Sequence, residues 1–169
     1  MARDLLGAVL VVERGGTRVA GRIIETEAYM ADDPASHSFR GRTPRNQVMF
    51  GPAGHLYVYR SYGIHWCANV VTGSEGDGQA VLLRAVDPLE GADEMLRRRG
   101  RRPLADGPGK LCQAFGLDGA DDGADLCDEG PVRIVDAGGG PPVDPIAGPR
   151  VGITKGVDTP WRFRPARTS

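Results

Sequence analysis

The stretch HWCANVVTGSEGDGQAVLLRAV, His65 to Val86, decides how this chain folds. Its two halves, Trp66–Val71 and Ala80–Val86, are short runs rich in apolar and β-branched residues, each of strand length. Between them lies GSEGDG, a cluster of turn formers. The pattern predicts an antiparallel hairpin. Side chains alternate across a strand, so register decides which residues share a face. If the numbers of paired residues add to an odd value, 151 or 153, Asn69 and Arg84 lie on one face of the sheet; an even value separates them.

Working outward, similar runs predict strands at Ala8–Val12, Val19–Thr26, Leu56–Tyr59, Val132–Val135 and Arg150–Ile153. One helix is signalled by Asp87 as cap, Pro88 in the first turn and Glu90 completing a capping box. Its buried stripe would be Leu89, Ala92, Met95 and Leu96, with Gly100 as the stop. A shorter helix is predicted from Gly109 to Phe115, closed by Gly116. The stretches Gly119 to Gly130 and GGGPPVDPIAGP (138–149) read as surface loops. Many short strands with few helices predict an α+β fold: a single domain over residues 1–169, built on a curved, mostly antiparallel sheet with a few short helices.

The bulk numbers agree with such a domain. There are 169 residues, 40% hydrophobic and 25% charged, with 25 glycines and 13 prolines that argue for many turns. No apolar run approaches the roughly 18 residues that span a bilayer. The short apolar N-terminal stretch carries Asp4 and no small-residue cleavage site, so it reads as part of the fold and not as a secretion signal. Cys67, Cys112 and Cys127 form no C-x-x-C pair, a pattern suited to free thiols in a reducing cytoplasm. Net charge is only −1, but its distribution is uneven. From Pro34 to Ser74 there is no acidic residue, while Arg40, Arg42, Arg45, Arg60 and all three histidines fall there. Such asymmetry gives one face that attracts polyanions. A second basic run, Arg97–Arg99 with Arg101 and Arg102, reads equally well as a solvated helix end.

Three segments carry candidate chemistry. In GRIIETEAY (21–29) an extended backbone puts Glu25, Glu27 and Tyr29 on one face, with the carboxylates about 7 Å apart. Crowded, partly buried carboxylates make an acid/base site; the alternative is an edge strand with both glutamates in water. The loop HSFRGRTPRN (37–46) combines one histidine and three arginines with Ser, Thr and Asn, the donor types that hold phosphates; as a bare connection it would simply be solvated. HLYVYRSYG (55–63) brings Tyr57, Tyr59 and Tyr62 within six residues. One or two buried tyrosines are ordinary core. Three beside Arg60 in an acid-free segment suit stacking on a nucleobase.

Six blocks in order carry a resemblance: GRIIETEAY, ASHSFRGRTPRN, MFGPAGHLYVYRSYGIHWCANVV, GDGQAVLLRAVDPLEG, GPGKLCQAFG and RVGITKG. Together they resemble the alkyladenine (3-methyladenine) DNA glycosylase family over nearly the whole chain. The resemblance implies hydrolysis of the bond between deoxyribose and an alkylated or deaminated purine in double-stranded DNA. It implies Glu27 as the general base that activates water, and Arg84 as the residue positioning that water, with the Val151 backbone a weaker candidate. Tyr29, His37 and Tyr59 would form the walls around an extruded base, with His37 also bonding its edge, and Asn69 would crowd the amino group of normal guanine. Tyr62 resembles the wedge that fills the gap in the stack. Arg40, Arg42, Thr43, Arg45 and Asn46 would hold the DNA backbone. No cofactor, metal, membrane or obligate protein partner is implied; a monomer acting in the cytoplasm, on the bacterial nucleoid, is expected. The short segment between the first helix and GPGKLCQAFG, and the absence of a long N-terminal extension, look like a minimal bacterial version.

A lyase reaction would need an amine nucleophile. The two lysines, Lys110 and Lys155, lie in no block the family uses for attack, so a monofunctional enzyme leaving an abasic site is expected. Two rivals differ in class. A metal-dependent hydrolase would use His55, His65 and Cys67, whose spacing matches no usual zinc pattern. A non-catalytic damaged-DNA binding module would keep the tyrosines and arginines without needing Glu27.

Overall fold

Thirteen residues, Thr17–Tyr29, form the longest strand, β2, and the rest of the sheet is built on its two edges. The computed structural model describes residues 1–166 except 139, 141 and 143. Around β2 run β1 (Val9–Arg14), β3 (Leu56–Ser61), β4 (His65–Thr72), β5 (Gln79–Glu90), β6 (Val132–Val135), β7 (Ile146–Gly148) and β8 (Arg162–Arg164). The order is β3-β4-β5-β2-β1-β6, and every pairing is antiparallel. β2 changes neighbours along its length: residues 17–22 pair with β1, whereas Thr26 and Glu27 pair with β8, itself paired with β7. This is the predicted α+β architecture, with the sheet strongly curled.

The predicted hairpin forms in the odd register. Asn69 pairs with Leu82 and Val70 with Val81, so paired numbers add to 151 and Arg84 shares a face with Asn69. Period 2 then sorts every strand of this half into two faces. Leu56 and Val58, Ala68 and Val70, and Val81 and Leu83 enter the main core. Tyr57 and Tyr59, Cys67 and Asn69, and Leu82 and Arg84 point the other way and line a cavity.

Two α-helices cover the core face. α1 is Ala92–Arg99 and α2 is Pro108–Phe115; α2 lies on β4 and β5, and α1 on α2. α2 buries Leu111, Cys112, Ala114 and Phe115 and stops at Gly116 (φ +69), whose N–H bonds the carbonyls of Cys112 and Gln113. Each large apolar side chain so buried stabilises the fold by about 1.5–3 kcal/mol.

Three expectations need correction. The capping signal at Asp87 is overridden by pairing: Asp87, Pro88 and Glu90 continue β5 opposite Arg22, Gly21 and Ala20, and Leu89 is exposed. Ladder bonds and the cross-strand Glu90–Arg18 ion pair outweigh a local cap. The helix starts instead after Gly91 (φ +74), where a Cβ would lie 2.5 Å from the Arg18 carbonyl. No strand forms at 150–153, because Arg150 turns inward to an ion pair. The tract 138–149 is not all loop: its end is β7, while 139, 141 and 143 lie outside the described residues. Within 119–130, a short 3-10 turn, Gly119–Asp121, is pinned by the Arg14–Asp121 ion pair.

The run Arg97–Arg99 is absorbed by the fold. Arg97 and Arg98 both bond Glu94, and Arg98 and Arg99 reach Ala114 and Gln113, tying the end of α1 to α2. Among the described residues no helix is long and apolar enough to cross a membrane.

Candidate active site

The extended backbone of β2 does put Glu25, Glu27 and Tyr29 on the cavity side, and tertiary contacts give the two carboxylates different surroundings. Glu27 is 0% exposed. Its Oε2 accepts from the Tyr29 hydroxyl at 2.8 Å and its Oε1 from the Val151 backbone N–H at 2.8 Å, while Arg84 Nη1 lies 3.4 Å from Oε1. Burial of an ion requires such partners. Tyr29, Arg84 and Val151 all line the cavity, so Glu27 stands directly behind its wall. Glu25 has another task. Its Oε1 accepts from Arg84 Nε and Arg162 Nε, both at 2.7 Å. Burial pushes the Glu25 carboxyl up, but the bonds from Arg162 and Arg84 outweigh it and hold it below the usual range. Glu25 thereby orients Arg84.

Aromatic rings form one side of the cavity, whose volume is about 490 Å³. Tyr57 and Tyr59 stack at 5.6 Å between centroids, and His37 meets Tyr59 edge-on at 4.4 Å. The His37 ring nitrogen Nδ1 is 3.0 Å from the Tyr57 hydroxyl. Partial burial, then the charge of Arg45, pull the His37 pKa below the ordinary imidazole value, although the residue as a whole is exposed. Burial pushes the Tyr57 phenol up to about 12, and it raises those of Tyr29 and Tyr59 further. All three remain hydroxyls at neutral pH. β5 and β4 separate β2 from β3 in the curled sheet, and Tyr29 lines the same cavity as the His37–Tyr59 pair. Asn69 lies on the floor between them, buried, with Nδ2 donating to the Tyr57 carbonyl at 3.1 Å.

At the mouth stands the β3–β4 turn. Tyr62 (φ +49) and Gly63 (φ +68) are its central residues, closed by Ile64 N–H to the Ser61 carbonyl at 3.0 Å. Two positive φ values define the hairpin turn of type I′. A bulky residue at φ > 0 is strained. Tyr62 keeps that position with 87% of its surface exposed. Beside it the 37–46 loop opens a second hollow of about 630 Å³ that includes Arg40, Thr43, Arg45 and, from the 150–156 segment, Lys155. Neither hollow has a carboxylate among its lining residues, which suits a polyanion. Arg40 and Arg42 are exposed. Asn46, which also lines this hollow, is largely buried: it accepts from Thr43 N–H and Oγ1 and donates to the His37 and Gly41 carbonyls, so it shapes the loop.

The family model described as Methylpurine-DNA glycosylase (MPG) matches residues 1–168. The chain belongs to the methylpurine-DNA glycosylase family. Relatives include a protein of Nitrosospira multiformis, 52% identical over 169 residues, which cover 96% of this chain and 82% of the relative. Proteins of Methanoculleus marisnigri and Agrobacterium fabrum are both 53% identical over 96% of this chain, covering 87% and 81% of their own lengths. The names of all three contain the words 3-methyladenine DNA glycosylase. As a methylpurine-DNA glycosylase the chain is a DNA repair hydrolase acting on N-glycosidic bonds, which sets aside the non-catalytic binding module. As for the metal reading, among the described residues no three His, Cys, Asp or Glu side chains gather as a metal would require.

Two parts of this glycosylase's site are pairings that the sequence alone does not join. One is the Glu25–Arg162 support of Arg84. The other is a buried ion pair between Asp33 and Arg150, whose side chains are 2% and 0% exposed. Both join residues more than a hundred positions apart, and neither has a local sequence signal. The block RVGITKG points to Val151, but only the fold aims its N–H at Glu27.

Proposed function

We propose that this enzyme excises alkylated purines, 3-methyladenine foremost, from duplex DNA by swinging the nucleotide into the Tyr29–His37–Tyr59 cavity, and that Glu27 is its general base. The observation that carries the reading is a fully buried carboxylate, held by two hydrogen bonds and the nearby Arg84 guanidinium, immediately behind the aromatic cavity. A purine inside the helix is unreachable, and extruding it costs a few kcal/mol. Tyr62, on its exposed turn, offsets that cost by entering the gap from the minor groove. Stacking between aromatic faces returns about 1–3 kcal/mol per base and favours electron-poor, alkylated rings. Neutral His37, accepting from the Tyr57 hydroxyl at Nδ1, presents Nε2–H to the edge of the base. Asn69 crowds the amino group of normal guanine.

In the reaction the bond from C1′ to the base nitrogen breaks and its electron pair leaves with the purine. Water adds to the oxocarbenium-like sugar, and its proton passes to Glu27, as in inverting glycoside hydrolysis. Arg84, held by Glu25, and the Val151 backbone keep the carboxylate and water aligned. A cationic methylpurine departs neutral and needs nothing more. Hypoxanthine and ethenoadenine are further candidate substrates and need a proton delivered to the base. Arg40, Arg42, Thr43 and Arg45 grip phosphates, and Asn46 acts through the loop. Lys110 is paired with Asp106 and Lys155 sits in the outer hollow, so the product is an intact strand with an abasic site. No cofactor takes part, and residues 1–169 act as one domain. Base release from alkylated duplex by wild type and Glu27→Gln tests the assignment: a fall of about 10²–10⁴-fold is expected, and equal release from both would refute the role of Glu27.

A further inference from the structure

Among the described residues Arg150 and Asp33 form the most deeply buried ion pair, and their contacts converge on the proposed catalytic machinery. Four of the five guanidinium N–H groups have acceptors. Nη1 bonds Asp33 Oδ2 and the Ala28 carbonyl (3.0 Å); Nη2 bonds Asp33 Oδ1 (3.0 Å) and the Gly156 carbonyl (3.2 Å). Asp33 Oδ1 also accepts the Ala35 N–H at 3.0 Å, which starts the loop that carries His37. The guanidinium lies 4.7 Å from the centroid of the Tyr29 ring and 5.4 Å from that of Trp161. The next residue in the chain, Val151, donates its N–H to Glu27. Gly156 leaves space for the pair, since a Cβ there would lie 2.9 Å from Arg150 Nη2 and from Asp33 Oδ1.

An apolar pair of similar volume often serves stability as well as a buried ion pair does, and in some proteins what the charges add is one specified arrangement. Here the arrangement ties together the end of β2, the start of the His37 loop and the 150–156 segment. We propose that Asp33 and Arg150 are positioning residues for excision: they set the Val151 N–H on Glu27 and the face of Tyr29 toward the base. The proposal rests on the reading of Glu27 as the base. A lysine at 150 keeps the charge but cannot span acceptors on three segments. An asparagine at 33 keeps the shape but turns an NH₂ group against the guanidinium.

Single-turnover excision of 3-methyladenine from duplex tests this with Arg150→Lys, Asp33→Asn and, as an exposed neighbouring control, Asp32→Asn. The expected result is a tenfold or greater loss in the rate constant for the first two. Affinity for duplex carrying a tetrahydrofuran abasic site should stay within threefold of wild type, and Asp32→Asn should match wild type throughout. A merely structural role would lower the fraction of folded enzyme, read by circular dichroism, and leave the rate constant at saturating enzyme alone. Hydrogen exchange at the Val151 amide should quicken in both variants. If one variant fails to fold, the other carries the test. Wild-type rate constants in folded variants, or failure of both to fold, would overturn the positioning role. Loss of activity in Glu27→Gln alongside normal Arg150→Lys and Asp33→Asn would remove the positioning role and leave the base assignment standing; activity retained in Glu27→Gln would remove the base assignment itself.

Discussion

The two faces of the β3–β4–β5 sheet use adjacent residues for opposite purposes. Val58, Ala68 and Leu83 go into a dry apolar core under α2, whereas their chain neighbours Tyr59, Asn69 and Arg84 go into a polar cavity. The core face is held by area removed from water, which is non-directional and tolerant. The cavity face is held by hydrogen bonds and ion pairs, each with one geometry, and it carries strain at Tyr62. One alternation thus separates the residues that fill the core from those that line the cavity.

That division is most directly challenged by a matched pair of substitutions. Phe115→Ala, on the core side, should cost about 3–5 kcal/mol of unfolding free energy, a large share of a total near 5–15 kcal/mol, and leave the excision rate constant of the folded fraction unchanged. Glu27→Gln should do the reverse. The amide oxygen can still accept from Val151, and the Tyr29 hydroxyl can turn to accept from the NH₂ group. Denaturant titration should therefore find a change of about 1 kcal/mol beside the large loss of rate. If Glu27→Gln unfolds the protein as readily as Phe115→Ala, the two faces are not separable.

Tyr62→Gly sharpens the comparison at smaller scale. Glycine removes the cost of a positive φ, so stability should rise by about 1 kcal/mol, while excision from duplex weakens and excision from a single strand does not. A destabilised Tyr62→Gly would show that the ring packs against the fold.

The smallest effect is expected from pH. The folded pKa of His37 is depressed, so its contribution to stability is present above the unfolded value of about 6.5 and is lost as pH falls through the folded value. Melting temperature should drop less between pH 7 and 5 in His37→Gln than in wild type, and equal drops would remove His37 as a contributor.

Part of the site is legible in the order of residues alone. Period 2 places Glu25, Glu27 and Tyr29 together, and the hairpin offers two registers of which one brings Asn69 beside Arg84. The first helix shows where such reading stops. Asp87, Pro88 and Glu90 are good local signals, yet pairing with residues 20–22 draws them into β5, because a ladder formed across more than sixty residues outweighs one cap.

What the sequence by itself determined is whatever depends on backbone period and nearest neighbours: which residues alternate, where turns fall, and that an acid-free segment holds the tyrosines and arginines. Only tertiary structure decided which carboxylate is sequestered and which arginine holds it. Glu27 meets Val151 from 124 positions away and Asp33 meets Arg150 from 117. Such partners are chosen when chain closure and burial leave a charge no water to turn to, and that selection has no local trace.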